Sequence, residues 1–324
     1  MKQAKHMFII VLAAVGVIAA MMMGLKFAFS RMVSAAKPQL PAPIAPMQPA
    51  EVRVKVEERN AAPLENGAVV AASDAVAIVC GNGANVDRYE TRNGALRSIA
   101  RRRDLPKEDV AALMDYLAST KDAMRVERVA ALKNDVMNLL RNQEPPVEGL
   151  ADALIAMFDG GAHPPAVLDY CIQHLGAMQG GLNDTARRRV LAVLAMAAAR
   201  KGQSYAGTAL YSLAADRCAT SAQNAELKRL ALAMCAADSN PAARIAAIQL
   251  AGEHGYAEAL PILRKALSSP RRDAVLDIVA IGSVGFLGDS SDIPRLSHFI
   301  KSDSRRAPAA EAAIRRIDER LGVK

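Results

Sequence analysis

Residues Arg244–Leu267 lie over Asp277–Ile300, thirty-three residues on, without a gap. Ile245 falls on Ile278, Ala247 on Ala280 and Ile248 on Ile281. Gly252 falls on Gly285, Gly255 on Gly288, Pro261 on Pro294 and Leu263 on Leu296. A self-match at fixed period marks a repeat architecture, in which a unit buries its apolar face only against its neighbours. No other feature constrains the chain as strongly. A stacked array is expected, not one closed core.

The unit reads as a helical hairpin. Ile245, Ile248, Leu250 and Ala251 have the spacing of a helix buried on one side. Gly252 and Gly255 are expected to end it, because glycine accepts the positive φ of a helix C-terminus. A second helix starts near Ala257, with Pro261 in its first turn and Leu260, Leu263 and Leu267 as its apolar stripe. A partial third copy follows at Pro308–Leu321, where Ala313, Ile314 and Ile317 take the corresponding places.

The string Ala243–Gly252, followed by Ala257-Glu258-Ala259-Leu260-Pro261-Ile262-Leu263, resembles the short HEAT-like repeat of the phycobilisome-lyase type. That pattern has an arginine near the start of the first helix, held here by Arg244. The second copy departs from it, with Asp277 at that place. A tetratricopeptide repeat has a similar period but needs an extra turn that this sequence lacks. The resemblance covers Asn240–Lys301. It implies an all-α fold: an α-solenoid of HEAT-like hairpins, an armadillo-like superhelix.

The same rhythm extends through residues 87–324. Hairpins are expected at Asp87–Ala118, Met124–Phe158, Pro164–Arg200, Ser204–Ala237, Asn240–Leu267 and Arg271–Ile300, then a last helix at Ala307–Leu321. Start signals precede the apolar runs at Pro106, Pro146, Pro164-Pro165, Asn183-Asp184, Asn240-Pro241 and Ser291-Asp292. Ile172, Ala209, Ala247, Ala280 and Ala313 recur at intervals of 33 to 38 residues, which favours one solenoid over two globules. The last helix, with Arg305, Arg306, Glu311, Arg315, Arg316, Asp318, Glu319 and Arg320, carries the polar outer face of a cap.

Ahead of the array, residues 1–6 are a short tail. Met7–Leu25 is an uncharged apolar run behind Lys2 and Lys5. As a helix it spans roughly 28 Å, close to the ~30 Å hydrocarbon core. It reads as an uncleaved transmembrane signal anchor, which puts the body outside the cytoplasm, in the periplasm of a bacterium. The alternative is secretion after signal cleavage near Ala36. Residues 26–86 form a linker with a poorly defined last part. Pro38, Pro41, Pro43, Pro46 and Pro49 favour extended polyproline II and a spacer. Ala68–Cys80 is apolar, and periodicity leaves helix and strand both open.

Formal charge is +8, but Lys2, Lys5, Lys26, Arg31 and Lys37 meet no acid within the first 50 residues. The remainder holds 36 basic and 33 acidic residues. A Trp-free body so near balance argues against nucleic acid, including the basic, aromatic-lined groove of HEAT-like DNA glycosylases.

Chemistry is sparse. Cys80, Cys171, Cys218 and Cys235 form no C-x-x-C pair, and Cys218–Cys235 is the pair closest in sequence for a disulfide. HEAT-like deoxyhypusine hydroxylases bind two irons through several His-Glu pairs. Here one pair stands in reversed order, Glu253-His254, where metal ligation wants three or four convergent ligands. No catalytic residue, metal or cofactor is expected. The candidate binding surface is a basic ladder on the second helices: Arg188 and Arg189 within Arg187–Arg189, Lys228 and Arg229, Arg264 and Lys265, and Arg295 and Lys301 near His298. Registering Leu227 on Leu263 brings Lys228-Arg229 onto Arg264-Lys265. Such a ladder, on a concave face, would hold a protein or acidic peptide. The function read from the sequence is a membrane-tethered, non-catalytic scaffold or adaptor. The alternatives are a HEAT-like enzyme of the lyase or metal-dependent hydroxylase type, and a structural envelope spacer.

Overall fold

The computed structural model describes residues 72–83, 85–216, 219–236, 238–269 and 273–322. Met7–Leu25, the proline-rich spacer and Cys218 lie outside them. Among the described residues every regular element is helical, and no helix is long and apolar enough to cross a membrane. Residues 67–324 form one unit, not two.

The described residues hold fourteen α-helices. They are α1 (Ala72–Val79), α2 (Tyr89–Ile99), α3 (Lys107–Ala118), α4 (Val126–Arg141), α5 (Leu150–Gly160), α6 (Pro165–Met178) and α7 (Asp184–Ala199). Then come α8 (Tyr205–Ala214), α9 (Ser221–Met234), α10 (Pro241–Glu253), α11 (Leu260–Leu267), α12 (Ala274–Leu287), α13 (Ile293–Ser302) and α14 (Ala307–Leu321). Even-numbered helices are the first helices of the hairpins and odd-numbered ones the second. Among the described residues the array already includes one helix before Asp87. The apolar segment whose conformation periodicity leaves open is α1, which buries Ala75, Val76 and Val79 against α2 and α3.

Local chemistry sets the starts. The Asn183 side chain accepts from Ala186 N–H, and Asn240 from Ala242 and Ala243 N–H. Thr220 and Gln223 form a reciprocal capping box at α9, and Asp273 caps α12. Each cap satisfies amides that have no partner inside the helix.

The first helices form the tighter layer. The closest stacking runs α6–α8–α10–α12–α14, whereas α7, α9, α11 and α13 barely approach one another. Each second helix packs harder on the first helix of the next hairpin than on its own partner. Small residues make the tight layer. A Cβ on Gly252 would come within 2.8–3.0 Å of Ser283, and a Cβ on Gly285 within 2.8 Å of the Ala313 Cα. Gly207 against Ala243 and Ala246, and Gly176 against Ser212, repeat this one and two hairpins before Gly252. Ser283 Oγ also donates across the interface to Ile248 O at 2.9 Å.

This changes the reading of the glycine pairs. Gly252 and Gly285 do not end their helices; both are buried inside them. Gly255, at φ +69°, closes the turn after α10, as the sequence leads one to expect of it. The aligned glycines thus do two jobs, close approach and termination.

The Asp277 departure also finds its reason. Arg244 Nε donates to Cys235 O at 3.0 Å, tying α10 to the end of α9. Asp277 is buried and pairs with Arg306 at 2.8 Å. Arg306 therefore belongs to the interior, not to the polar outer face expected of it. Arg320 does stay on the surface, and it donates to the carbonyls of Gly285, Phe286 and Gly288 at the end of α12.

Substitution of two glycines in α12 separates packing from propensity. Gly285→Ala lowers stability by about 1–3 kcal/mol, because the new methyl meets backbone. Gly282→Ala, with nothing within 4 Å of the added carbon, raises it by about 0.5–1 kcal/mol. Thermal unfolding followed by circular dichroism reads both, and equal effects would refute the seam.

Candidate functional site

The second helices α7, α9, α11 and α13 carry all eight ladder residues. Helical geometry decides where each points. Leu227 and Leu263 are buried, so the next residues, Lys228 and Arg264, lie half-buried along the seam between hairpins. Arg229 and Lys265, a further 100° round, are exposed.

These side chains build a ladder of ion pairs. Lys228 Nζ meets Glu258 at 2.6 Å, beside the Tyr256 ring at 5.8 Å. Arg264 forks onto Asp292 at 2.8 and 2.7 Å and reaches Asp289 at 3.2 Å. One hairpin earlier, Arg187 pairs with Asp216. In each case the cation on one second helix meets a carboxylate in the segment that opens the next second helix. Of the remaining ladder residues, Arg189 meets Asp152 of α5 at 2.7 Å and Arg229 meets Glu226 of its own helix at 2.6 Å. Arg295 donates to Arg264 O at 3.1 Å.

The electrostatics follow. The Asp292 and Asp289 carboxylates hold the Arg264 guanidinium well above its ordinary pKa. Lys228 keeps the Glu258 carboxyl low, and Arg229 does so for Glu226. Half of the expected ladder is thus neutralised by acids that interleave with it. Arg188, Lys265, Arg295 and Lys301 remain exposed, and none of them has a carboxylate partner among the described residues. On α7 and α9 three of the four ladder charges are taken up by solvent-exposed ion pairs, and the second helices that carry the ladder are the more widely spaced layer.

The other sequence candidates stand apart. Gln249 donates to Glu253 at 2.9 Å, and the exposed His254 ring lies 5.6 Å from Tyr256. Among the described residues no group of three or more His, Cys, Asp or Glu is placed to hold a metal. Cys80, Cys171 and Cys235 are free thiols, and burial pushes them up to about 11, 12 and 11. Such thiols stay protonated at neutral pH and are inert.

A buried polar cluster near the N-terminal end of the array escaped the sequence reading. Arg92 donates to Val79 O at 2.8 Å and to Asp122 at 2.8 Å, over the Tyr116 ring. Lys133 Nζ donates to Leu117 O at 2.8 Å and to Ser119 O, closing the C-terminus of α3 from α4. Burial pulls its pKa down to about 8. The available signal was a lysine on the apolar stripe Ala130–Lys133–Met137–Leu140. His174 of α6 meets Asn134 of α4 at 3.1 Å, and burial lowers its pKa to about 4.

Two predictions follow from these contacts. Arg264→Ala leaves Asp292, 5% exposed, without its counter-ion and costs about 1.5–3 kcal/mol, whereas Lys228→Ala, an exposed pair, costs at most about 1 kcal/mol. Thermal unfolding in low and high salt checks this, and equal losses would refute a structural role for Arg264. The second concerns acid. A histidine whose folded pKa lies below its unfolded value binds more protons when unfolded. Stability is therefore full above about pH 6.5 and is lost as pH falls toward about 4. His174→Gln flattens that loss, read as unfolding midpoint against pH; a slope unchanged from wild type would refute it.

A family model for HEAT repeats matches residues 229–315, from within α9 to within α14. No curated protein and no solved structure gives a significant match. The matched stretch and the all-helical stack of described residues together support a HEAT-repeat protein, a helical solenoid.

Proposed function

We propose that this chain is a membrane-tethered HEAT-repeat scaffold or adaptor that docks another protein on its solenoid surface, outside the cytoplasm, and catalyses no reaction. The observation that carries the reading is the residual charge of the second-helix layer. Arg188 on α7, Lys265 on α11, and Arg295 and Lys301 on α13 are exposed without carboxylate partners among the described residues. The ion pairs between hairpins hold these cations at fixed separations, which suits recognition of an acidic segment. The uncharged run Met7–Leu25 supplies the membrane span and the proline-rich stretch the spacer. The short lyase-type repeat describes the hairpins, not the activity.

Crosslinking in native membranes, with partners identified by mass spectrometry, tests the reading. A reproducible partner is expected with wild type and is lost with the triple variant Lys265→Glu, Arg295→Glu, Lys301→Glu. Arg264 is left intact because its removal disturbs the fold. Capture unchanged by the triple variant overturns the docking surface. A phosphatase reporter after Lys324 is expected to be active outside the cytoplasm, and activity confined to a cytoplasmic reporter would overturn the orientation.

A further inference from the structure

The second helices α7 and α9 leave a groove between them of about 260 Å³, open along one side. It exists because the tight seam lies on the other layer. At Gly176–Ser212 and Gly207–Ala243 the first helices α6, α8 and α10 come to backbone contact, while α7 and α9 do not close. Arg188, Leu191 and Ala195 of α7 fall at i, i+3 and i+7 and line one wall. Leu227 and Leu230 of α9 line the other, and Leu213 of α8 contributes to the lining. Alanine at 195 opposite two leucines leaves the space unfilled.

The polar groups of the groove are unequal. Its carboxylates are already engaged: Asp216 pairs with Arg187, and Glu226 with Arg229. Arg188 is exposed and has no such partner among the described residues. The surface therefore combines an apolar trough with one uncompensated cation. Its volume falls below the ~300–1,000 Å³ of typical small-molecule sites, so it fits protruding side chains better than a whole metabolite.

We infer that the α7–α9 groove is a docking slot for an acidic amphipathic segment of a partner protein, whose bulky apolar side chains enter between Ala195 and Leu227–Leu230 while its carboxylate meets Arg188. This rests on the scaffold reading and adds an apolar anchor point at the α7 end of its charged surface. The mode is that of a short segment laid into a groove with anchors at helical spacing. Burying the arginine–carboxylate pair beside the trough gives the direction of the bound segment.

The test uses a random twelve-residue peptide library displayed on phage, panned on the full-length chain in detergent micelles. Enriched peptides are expected to place Asp or Glu beside Leu, Ile or Phe. A synthetic peptide from that set is expected to lose about tenfold or more in affinity on Ala195→Trp, which fills the trough, and on Arg188→Glu. Changing its acidic residue to Lys is expected to restore binding to the Arg188→Glu chain. Arg101→Glu, an exposed change in the loop after α2, is expected to leave affinity unchanged. Peptides that bind both groove variants like wild type overturn the slot; if those peptides are lost on the triple variant of α11 and α13, the scaffold reading stands and the site moves there. A library with nothing enriched on wild type over Ala195→Trp also overturns the slot, and leaves the scaffold reading to the membrane crosslink. Circular dichroism verifies each variant. Should Ala195→Trp not fold, the charge exchange at Arg188, a surface position, decides alone.

Discussion

Backbone-to-backbone approach along the first helices is the constraint on which the body depends. At Gly252 and Gly285 the neighbouring helix comes so near that a single methyl would strike Ser283 or Ala313. A seam that close fixes both the distance and the axial offset of successive helices, because a shift along the axis would drive a larger side chain into the gap. The period of the sequence is the period of this seam. Its alanine-rich composition follows, since larger side chains at these places would force the layer apart.

With the seam fixed, the other layer can use long side chains. Lys228 and Arg264 stand at equivalent places and find carboxylates 30 and 28 residues on, at the opening of the next second helix. Those contacts become geometrically available because the seam brings each turn to the same height. Steric packing in one layer and charge pairing in the other thus act in series. The terminal helix is held by the same means, through Arg306–Asp277 and the arginine hydrogen bonds of Arg320.

Much of the fold could be read from the chain. The hairpin order agrees with the helices from α2 onward, and Ala307–Leu321 is a helix with those limits. These readings rest on period and capping residues, which are local. What was not legible depends on partners far away in sequence. The packing role of Gly252 and Gly285 cannot be told from termination without knowing what faces them. Arg306 looks like surface until Asp277 is beside it. The basic ladder was visible as a row of cations, but the acids that neutralise half of it lie elsewhere: Glu258 and Asp292 in turns of the next hairpin, Asp152 on the previous second helix and Glu226 one turn back on the same helix. Lys133 carried a signal that the reading passed over, a charge on an apolar stripe, but nothing local pointed to its partners, the carbonyls closing α3. The groove beside Arg188 is a property of spacing between helices, which no single helix pattern encodes.

The division of labour between the layers has a mechanical consequence. The first-helix seam is held by contact and is indifferent to dissolved ions. The exposed rungs of the second-helix layer are electrostatic and are screened within a Debye length of about 8 Å at physiological salt. The body is therefore a bilayer strip with one inextensible face and one whose stiffness depends on the medium. Raising ionic strength softens a single face, so the strip flexes by opening between its second helices while its spine keeps its length.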